Sequence, residues 1–239
     1  MQIIGHRGAR GEAPENTLGG FRYLRDIGIR AVEFDVRQLT DQCLVVMHDD
    51  DFLRTCGQSH SLYACQQEQL AQFNQAQHWQ SWPQQECTPI LRDVLTLLHD
   101  FAHIEVEIKA VETLDAAQAL LLPLLELLKE LQPNATITSF DPKIHQVLQR
   151  LDHEFQQGLL VELPVGLYAI EFAKSLGCTR IGWKDDLLSY DLCQASLDAG
   201  LLVSVWTVND VARAEQLKSW GIQGLITDIP LTMQRHFSA

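Results

Sequence analysis

Ala-Val-Glu-Phe-Asp-Val (31–36) and His-Ile-Glu-Val-Glu-Ile-Lys (103–109) are the stretches on which the fold of this chain turns. Both alternate apolar with charged residues and are rich in β-branched side chains, the pattern of a strand. Residues two apart on a strand point to the same face, so Glu33 converges with Asp35, and Glu105, Glu107 and Lys109 share a face opposite Val106 and Ile108. Two histidines flank the first acidic pair. His6 follows the apolar run 2–5 and His48 the run 44–47, which places each at the C-terminal end of a strand.

Outward from these stretches, short β-rich runs alternate with longer helical patterns. Strands are expected at 2–5, 31–36, 44–48, 103–109, 135–140, 157–162, 179–183, 201–207 and 223–227. Helices are expected at 16–27, 89–101, 113–130, 141–151, 165–176, 188–199 and 209–220. Boundary chemistry supports several of them. Asn16 is placed to cap the first helix and Gly28 to end it. Asp141-Pro142 opens another, and Asp210 and Gly221 bracket the last. Strand–helix alternation without linkers implies a parallel sheet covered by helices. An irregular TIM-type (β/α)8 barrel, formed by 1–239 as a single domain, fits best. Nine strands are one too many for it, and the connection 37–43 is too short for a helix, so that corner is expected to be irregular. An open doubly wound sheet is the competitor, but His-Arg-Gly-Ala-Arg-Gly-Glu-Ala-Pro (6–14) makes a poor nucleotide cradle. The Gln-rich segment 57–87 reads as a loop-rich excursion on the barrel's C-terminal face, where loops shape access.

With 239 residues, 46% of them hydrophobic, the chain can bury a full core without disulfides or a structural metal. Lys plus Arg number 18 against 31 Asp plus Glu, a net charge of −13, which argues against nucleic acid or an anionic membrane surface as partner. The six cysteines form no CxxC pair, no signal pattern precedes the first strand, and the longest apolar stretch, 116–128, is too short to span a bilayer. Cytoplasmic placement, free thiols and no membrane insertion are the expectation.

In a parallel barrel all strand ends gather at one mouth, so His6, Arg7, Glu33, Asp35, His48, Glu105, Glu107 and Lys109 can meet there. Each has a plainer explanation alone: a hydrogen-bonded histidine, a solvated acidic face, a cross-strand ion pair. Their shared location weakens those explanations together. Several carboxylates around one mouth repel by several kcal/mol at low effective dielectric unless a cation sits among them. Oxygen donors favour Mg²⁺ or Ca²⁺ over zinc. The remaining histidines, including His103 and His145, lack such company and read as surface or locally bonded residues.

The chain resembles the glycerophosphodiester phosphodiesterase family, and most its cytoplasmic bacterial members. The matching pieces are H-R-G-x(5)-P-E-N-T (6–17), E-F-D-V (33–36), V-x-H-D…R-T (46–55) and T-P-x-L (88–91). I-E-V-E-I-K (104–109), S-F-D-P (139–142), V-W-T-V-N (205–209) and I-T-D-x-P (226–230) follow in family order. The resemblance implies metal ligation by Glu33, Asp35 and Glu107, acid–base catalysis by His6 and His48, phosphate binding by Arg7 and Lys109, and a glycerol pocket lined by Trp206. The implied reaction is metal-dependent hydrolysis of a small glycerophosphodiester to sn-glycerol 3-phosphate and an alcohol, using one divalent cation, Mg²⁺ or Ca²⁺. Glu105 and Trp183-Lys184 depart from the family pattern, and Pro14, Asn16 and Thr17 read as structural. Two alternatives keep the same residues. One is cleavage of a lysophospholipid or an inositol phosphodiester, for which long chains need an apolar rim; 57–87 offers little beyond Phe73, Trp79 and Trp82. The other is a non-catalytic, ion-binding partner module.

Overall fold

The computed structural model describes residues 1–238. Its strands are β1 (Gln2–His6), β2 (Ala31–Gln38), β3 (Leu44–Val46), β4 (His103–Ile108), β5 (Ala135–Ser139), β6 (Gln156–Val161), β7 (Arg180–Lys184), β8 (Leu202–Trp206) and β9 (Gly224–Thr227). The helices are α1 (Leu18–Asp26), α2 (Leu53–Cys56), α3 (Leu91–Leu97), α4 (Leu114–Leu128), α5 (Pro142–Leu148), α6 (Tyr168–Ser175), α7 (Tyr190–Asp198), α8 (Val211–Ser219) and α9 (Pro230–Ser238). Every strand except β3 pairs in parallel, in the order β1-β9-β8-β7-β6-β5-β4-β2, and β1–β2 pairing closes the ring into an eight-stranded barrel. No open edge remains for a doubly wound arrangement. Among the described residues, no helix is long and apolar enough to cross a membrane.

β3 resolves the surplus strand. It runs antiparallel to the end of β2, with Val36 opposite Val46 and Gln38 opposite Leu44. A parallel neighbour needs a crossover of a dozen or more residues, and the five residues 39–43 permit only a hairpin. His48 does follow a strand, as expected, but β3 is an antiparallel extension of β2 and not one of the parallel barrel strands. β2 overruns the barrel, turns, and β3 carries His48 back down to the level of Asp35, whose carbonyl accepts from Met47 N at 3.0 Å.

Alternation on the strands sorts the side chains. Val32, Phe34 and Val36 of β2 and Ile104, Val106 and Ile108 of β4 are buried against the helices in one apolar cluster. A second such cluster lies between β6–β9 and their helices, and includes Trp183. Trp183 thus serves the helix layer, donating from Nε1 to Ser196 Oγ at 3.2 Å, while Lys184 pairs with Asp186 at 2.9 Å. The inward positions carry Ile4, Ala31 and Ile226 low in the barrel and acids toward the mouth. Parallel strands buried on both faces are ordinarily apolar throughout. The acids on the inner face of β2 and β4 are costly for folding, and a functional site accounts for that cost.

The helix boundaries refine the sequence reading. Asp141 and Asp210 cap α5 and α8 as expected, accepting from Lys143 N and Arg213 N. The cap of α1 is Thr17, which accepts from Gly20 N at 2.9 Å, and not Asn16. Residues 57–87 pack beside β3, where Leu62, Cys65, Leu70 and Phe73 build a satellite core and Phe73 stacks on Phe52 at 3.8 Å.

Candidate active site

Parallel pairing of β2 with β4 sets Asp35 opposite Glu107 and Glu33 opposite Glu105. Carboxylate oxygens of Glu33, Asp35 and Glu107 lie within 4.8 Å of one another, all buried. Burial alone raises a carboxyl pKa. For Asp35 that effect is outweighed by Lys109 and Arg7, which hold its carboxyl well below the usual range. For Glu33 burial is reinforced by Asp35 and Glu107, and the pKa is pushed well above the ordinary value. Glu107 moves up for the same reasons, burial first and Asp35 next. Glu33 Oε1 is buried with no hydrogen-bond partner. An all-oxygen donor set in which two glutamates repel each other and Glu33 keeps one oxygen unpartnered fits a hard divalent cation such as Mg²⁺ or Ca²⁺.

The loop after β1 wraps this cluster. Arg7 has φ +50° and Asn16 φ +53°, left-handed conformations that cost non-glycine residues roughly 1 kcal/mol each and that tend to persist at functional sites. The Arg7 turn aims its N–H at Glu33 Oε2, 3.1 Å away, and its Nε lies 3.3 Å from Asp35 Oδ2. Asn16 donates from Nδ2 to Asp35 Oδ2 at 2.8 Å. Lys109, just past β4, sets its ammonium against both Asp35 and Glu107.

Both histidines are held the same way. Nδ1 of His6 contacts Asp228 Oδ1 at 2.6 Å, and Asp228 Oδ2 accepts from Asn209 Nδ2 at 2.8 Å. Nδ1 of His48 contacts Asp49 Oδ1 at 2.6 Å, and Asp49 Oδ2 accepts from Arg54 Nε at 2.7 Å. A carboxylate on Nδ1 fixes the Nδ1–H tautomer and leaves Nε2 for proton transfer. Burial lowers the His6 pKa, against the opposing pull of Asp228. Arg54 reaches on to both oxygens of Glu15 at 2.7 Å, and Glu15 accepts from Arg7 at 2.9 Å. One chain of charge-assisted bonds therefore joins His48 to Arg7.

Glu15 gives that chain a pH signature. Burial opposes ionisation, but Arg54 and Arg7 bring its pKa down to about 2 from 4.5. A depressed carboxyl stabilises the fold at pH values above its unfolded pKa, and this contribution is lost as pH falls toward the folded pKa. The window is thus from about 4.5 down to about 2. We expect Glu15→Gln to be less stable than the parent at pH 7 by on the order of 3 kcal/mol, with the gap closing through that window. Urea unfolding of both proteins at pH 7, 4 and 3 checks this; a gap that does not narrow removes Glu15 as the titrating group.

His6, Arg7, Glu33, His48, Glu107, Lys109 and Trp206 all line one cleft of about 260 Å³ at the mouth, with Asp35 directly beneath. Trp206 donates from Nε1 to Gly182 O at 3.1 Å and meets Phe140 edge-on, centroids 5.3 Å apart. Glu105 lies elsewhere. It sits fully buried below the cluster, bonded to His103 Nε2 at 3.0 Å and 3.6 Å from Arg180. His103 thus has an acidic partner that the sequence reading did not give it. His145 is buried too, within reach of Gln157 and the Ser139 carbonyl. Residues 57–87 supply no lining of the cleft, and Trp82 turns instead to Glu86, which accepts from Gly19 N at 3.0 Å. Sequence reasoning missed Glu15, Asn16, Asp49, Arg54 and Asp228 as site residues. All lie within or beside the quoted motifs, Asp49 directly after His48.

A sequence profile of the glycerophosphoryl diester phosphodiesterase family matches residues 6–232. A glycerophosphodiester phosphodiesterase of Bacillus subtilis (strain 168) is 26% identical over 246 residues, 95% of this chain and 83% of its own length. Glycerophosphodiester phosphodiesterase 1 of Rattus norvegicus is 30% identical over 159 residues, 64% of this chain and 47% of the rat protein. Among solved structures, an Oleispira antarctica phosphodiesterase in complex with the product sn-glycerol-3-phosphate superposes with a TM-score of 0.89 at 25% identity, over 100% of this chain and 97% of that one. The profile spans nearly the whole barrel and every residue of the cleft, and the chain belongs to the glycerophosphoryl diester phosphodiesterase family.

Proposed function

We propose that this phosphodiesterase hydrolyses glycerophosphodiesters to sn-glycerol 3-phosphate and an alcohol, with Glu33, Asp35 and Glu107 holding one Mg²⁺ or Ca²⁺. The supporting observation is the meeting of those three buried carboxylates with two Asp-anchored histidines and two cations in one cleft. The bound cation would neutralise phosphate oxygens and stabilise the charge that builds on them in the transition state. Arg7 and Lys109 face the same cleft and add positive charge to the phosphate. His6, the more deeply buried imidazole, takes the proton from the attacking water or from the substrate's own 2-hydroxyl. His48, at the more open side, gives a proton to the departing alkoxide. Trp206 walls the glycerol end. In this reading 1–239 act as one barrel domain. The unpaired cysteines among the described residues suit a reducing cytoplasm.

Glycerophosphocholine and glycerophosphoethanolamine, incubated with the purified protein and Mg²⁺ or Ca²⁺, should release glycerol 3-phosphate, and a chelator should abolish the release. Full turnover after exhaustive chelation would sink the metal-dependent mechanism. No turnover of either diester under any cation would sink the assignment of substrate.

A further inference from the structure

The excursion 57–87 lines no part of the cleft, yet His48 is tied to it. The His48 side chain is 35% exposed against 10% for His6, so packing fixes the His6 ring while His48 depends on polar contacts. Two arginines supply them. Arg37, on the part of β2 that overruns the barrel, donates to the His48 carbonyl from Nε at 2.9 Å and from Nη2 at 2.6 Å. Its Nη1 donates to the Tyr63 hydroxyl of the excursion at 2.6 Å. Arg54 acts on the side chain instead. Its Nε bonds Asp49, whose other oxygen holds the imidazole, and its two terminal nitrogens fork onto Glu15 at 2.7 Å each. The excursion gives both arginines their footing. Asp51 bridges Ser61 antiparallel, flanked by bonds from Phe52 N to His60 O and from Leu62 N to Asp50 O. Phe52 and Cys56, on either side of Arg54, are buried with Leu62, Cys65, Leu70 and Phe73 in the satellite core. α2 is only four residues long, too short to hold its shape without that core.

Resting on the proposed role of His48 as proton donor to the leaving alkoxide, we propose that Arg37 and Arg54 are positioning residues for that imidazole, and that the excursion 57–87 serves the reaction through them. Neither arginine lines the cleft, so both act through other groups. Their effects separate. Arg37 holds the backbone of His48 and is anchored by Tyr63, so its loss loosens the proton donor alone. Arg54 also fixes Glu15, which accepts from Arg7 at 2.9 Å, so its loss loosens a phosphate cation as well. Each site uses three donors in the plane of one guanidinium, a geometry that a lysine ammonium does not match. Displacing a reacting group by about 1 Å can cost on the order of 10²-fold in rate, which is the scale on which such holding matters.

The test uses the leaving group. The alkoxide of choline needs a proton as it departs, whereas para-nitrophenolate leaves without one. kcat and KM are measured with Mg²⁺ on glycerophosphocholine and on the para-nitrophenyl diester of glycerol phosphate, with His48→Ala setting the scale of the difference between them. Arg37→Gln is expected to lower kcat on glycerophosphocholine roughly 10–100-fold with KM little changed, and to lose under about threefold on the nitrophenyl diester. Arg54→Gln should show the same split in kcat together with a raised KM on both substrates. Tyr63→Phe removes one hydroxyl from a 40% exposed side chain, which the fold tolerates, and should repeat the Arg37 split at about threefold. Equal losses on the two substrates, or full activity of all three variants on both, would overturn the positioning role. Equal losses in His48→Ala would remove His48 as the acid and the proposal with it, while turnover by the parent leaves the diester assignment standing. No turnover of either substrate by the parent would overturn that assignment and the proposal together.

Discussion

Asp35→Asn will lose turnover and divalent-cation affinity, and will also unfold more easily than the parent in chelator, whereas Glu33→Gln will lose the first two without losing stability. As proposed ligands the three carboxylates are equivalent, but as parts of the fold they are not. Asp35 is 1% exposed and stands between the Arg7 guanidinium and the Lys109 ammonium, which hold it ionised. Neutralising it leaves Arg7 with Glu15 and Lys109 with Glu107 as their remaining carboxylate partners, and breaking a buried pair on one side costs up to about 3–5 kcal/mol. Glu33 is the opposite case. Burial and its two acidic neighbours drive its pKa up, so its charge is a burden until a cation arrives. Replacing it with glutamine relieves that repulsion and keeps the acceptor aimed at Arg7 N. Thermal unfolding with chelator separates the two effects, and repeating it with Mg²⁺ reads the cation. A cation present at 100 times its Kd adds about 2.7 kcal/mol to a protein that binds it only when folded. The parent should gain this increment and both variants should not. Equal destabilisation of the two variants in chelator would contradict the charge assignment. An undiminished Mg²⁺ increment in Glu33→Gln would move the ligand set elsewhere.

Much of this arrangement is legible before any coordinates. Alternation at 31–36 and 103–109 tells which residues share a face, and parallel pairing does the rest, because neighbouring strands in register stack Asp35 beside Glu107. The barrel follows from the repeating alternation of strand and helix. The direction of β3 was within reach as well, since a five-residue connection excludes a parallel crossover. Depth was not. Glu105 shares the inner face with Glu107, but only the barrel's closure shows that it lies a layer lower, where Arg180 from β7 reaches it. Asn16 was misread for a different reason. Asparagine is among the best helix caps, and a neighbouring threonine is nearly as good. Local propensity does not distinguish the cap at Thr17 from the Asn16 amide that steadies Asp35. The aspartates behind the histidines are a tertiary matter too: Asp228 meets His6 across 222 residues of sequence.

The last large effect concerns those histidines. His6→Ala and His48→Ala should each lower kcat by roughly 10²–10⁴, the usual size of a general acid or base contribution, while keeping the Mg²⁺ stability increment of the parent. Neither imidazole belongs to the carboxylate cluster, so cation binding and proton transfer should come apart in these variants. The pH profile then tells which proton each one handles. A general base must be neutral, so the rate rises with pH through its pKa. Burial pushes the His6 value below 6.5, so the rising limb of kcat/KM should fall below that pH. Asp228 contacts no cluster carboxylate and supports the protonated ring. Asp228→Asn removes that support. It should move the rising limb to lower pH and, by loosening the ring and its tautomer, reduce kcat with KM little changed. A purely structural role for Asp228 would lower the amount of folded protein and leave the position of the limb untouched. A rising limb that stays in place in Asp228→Asn but disappears in His48→Ala would exchange the two roles, making His48 the base and His6 the acid.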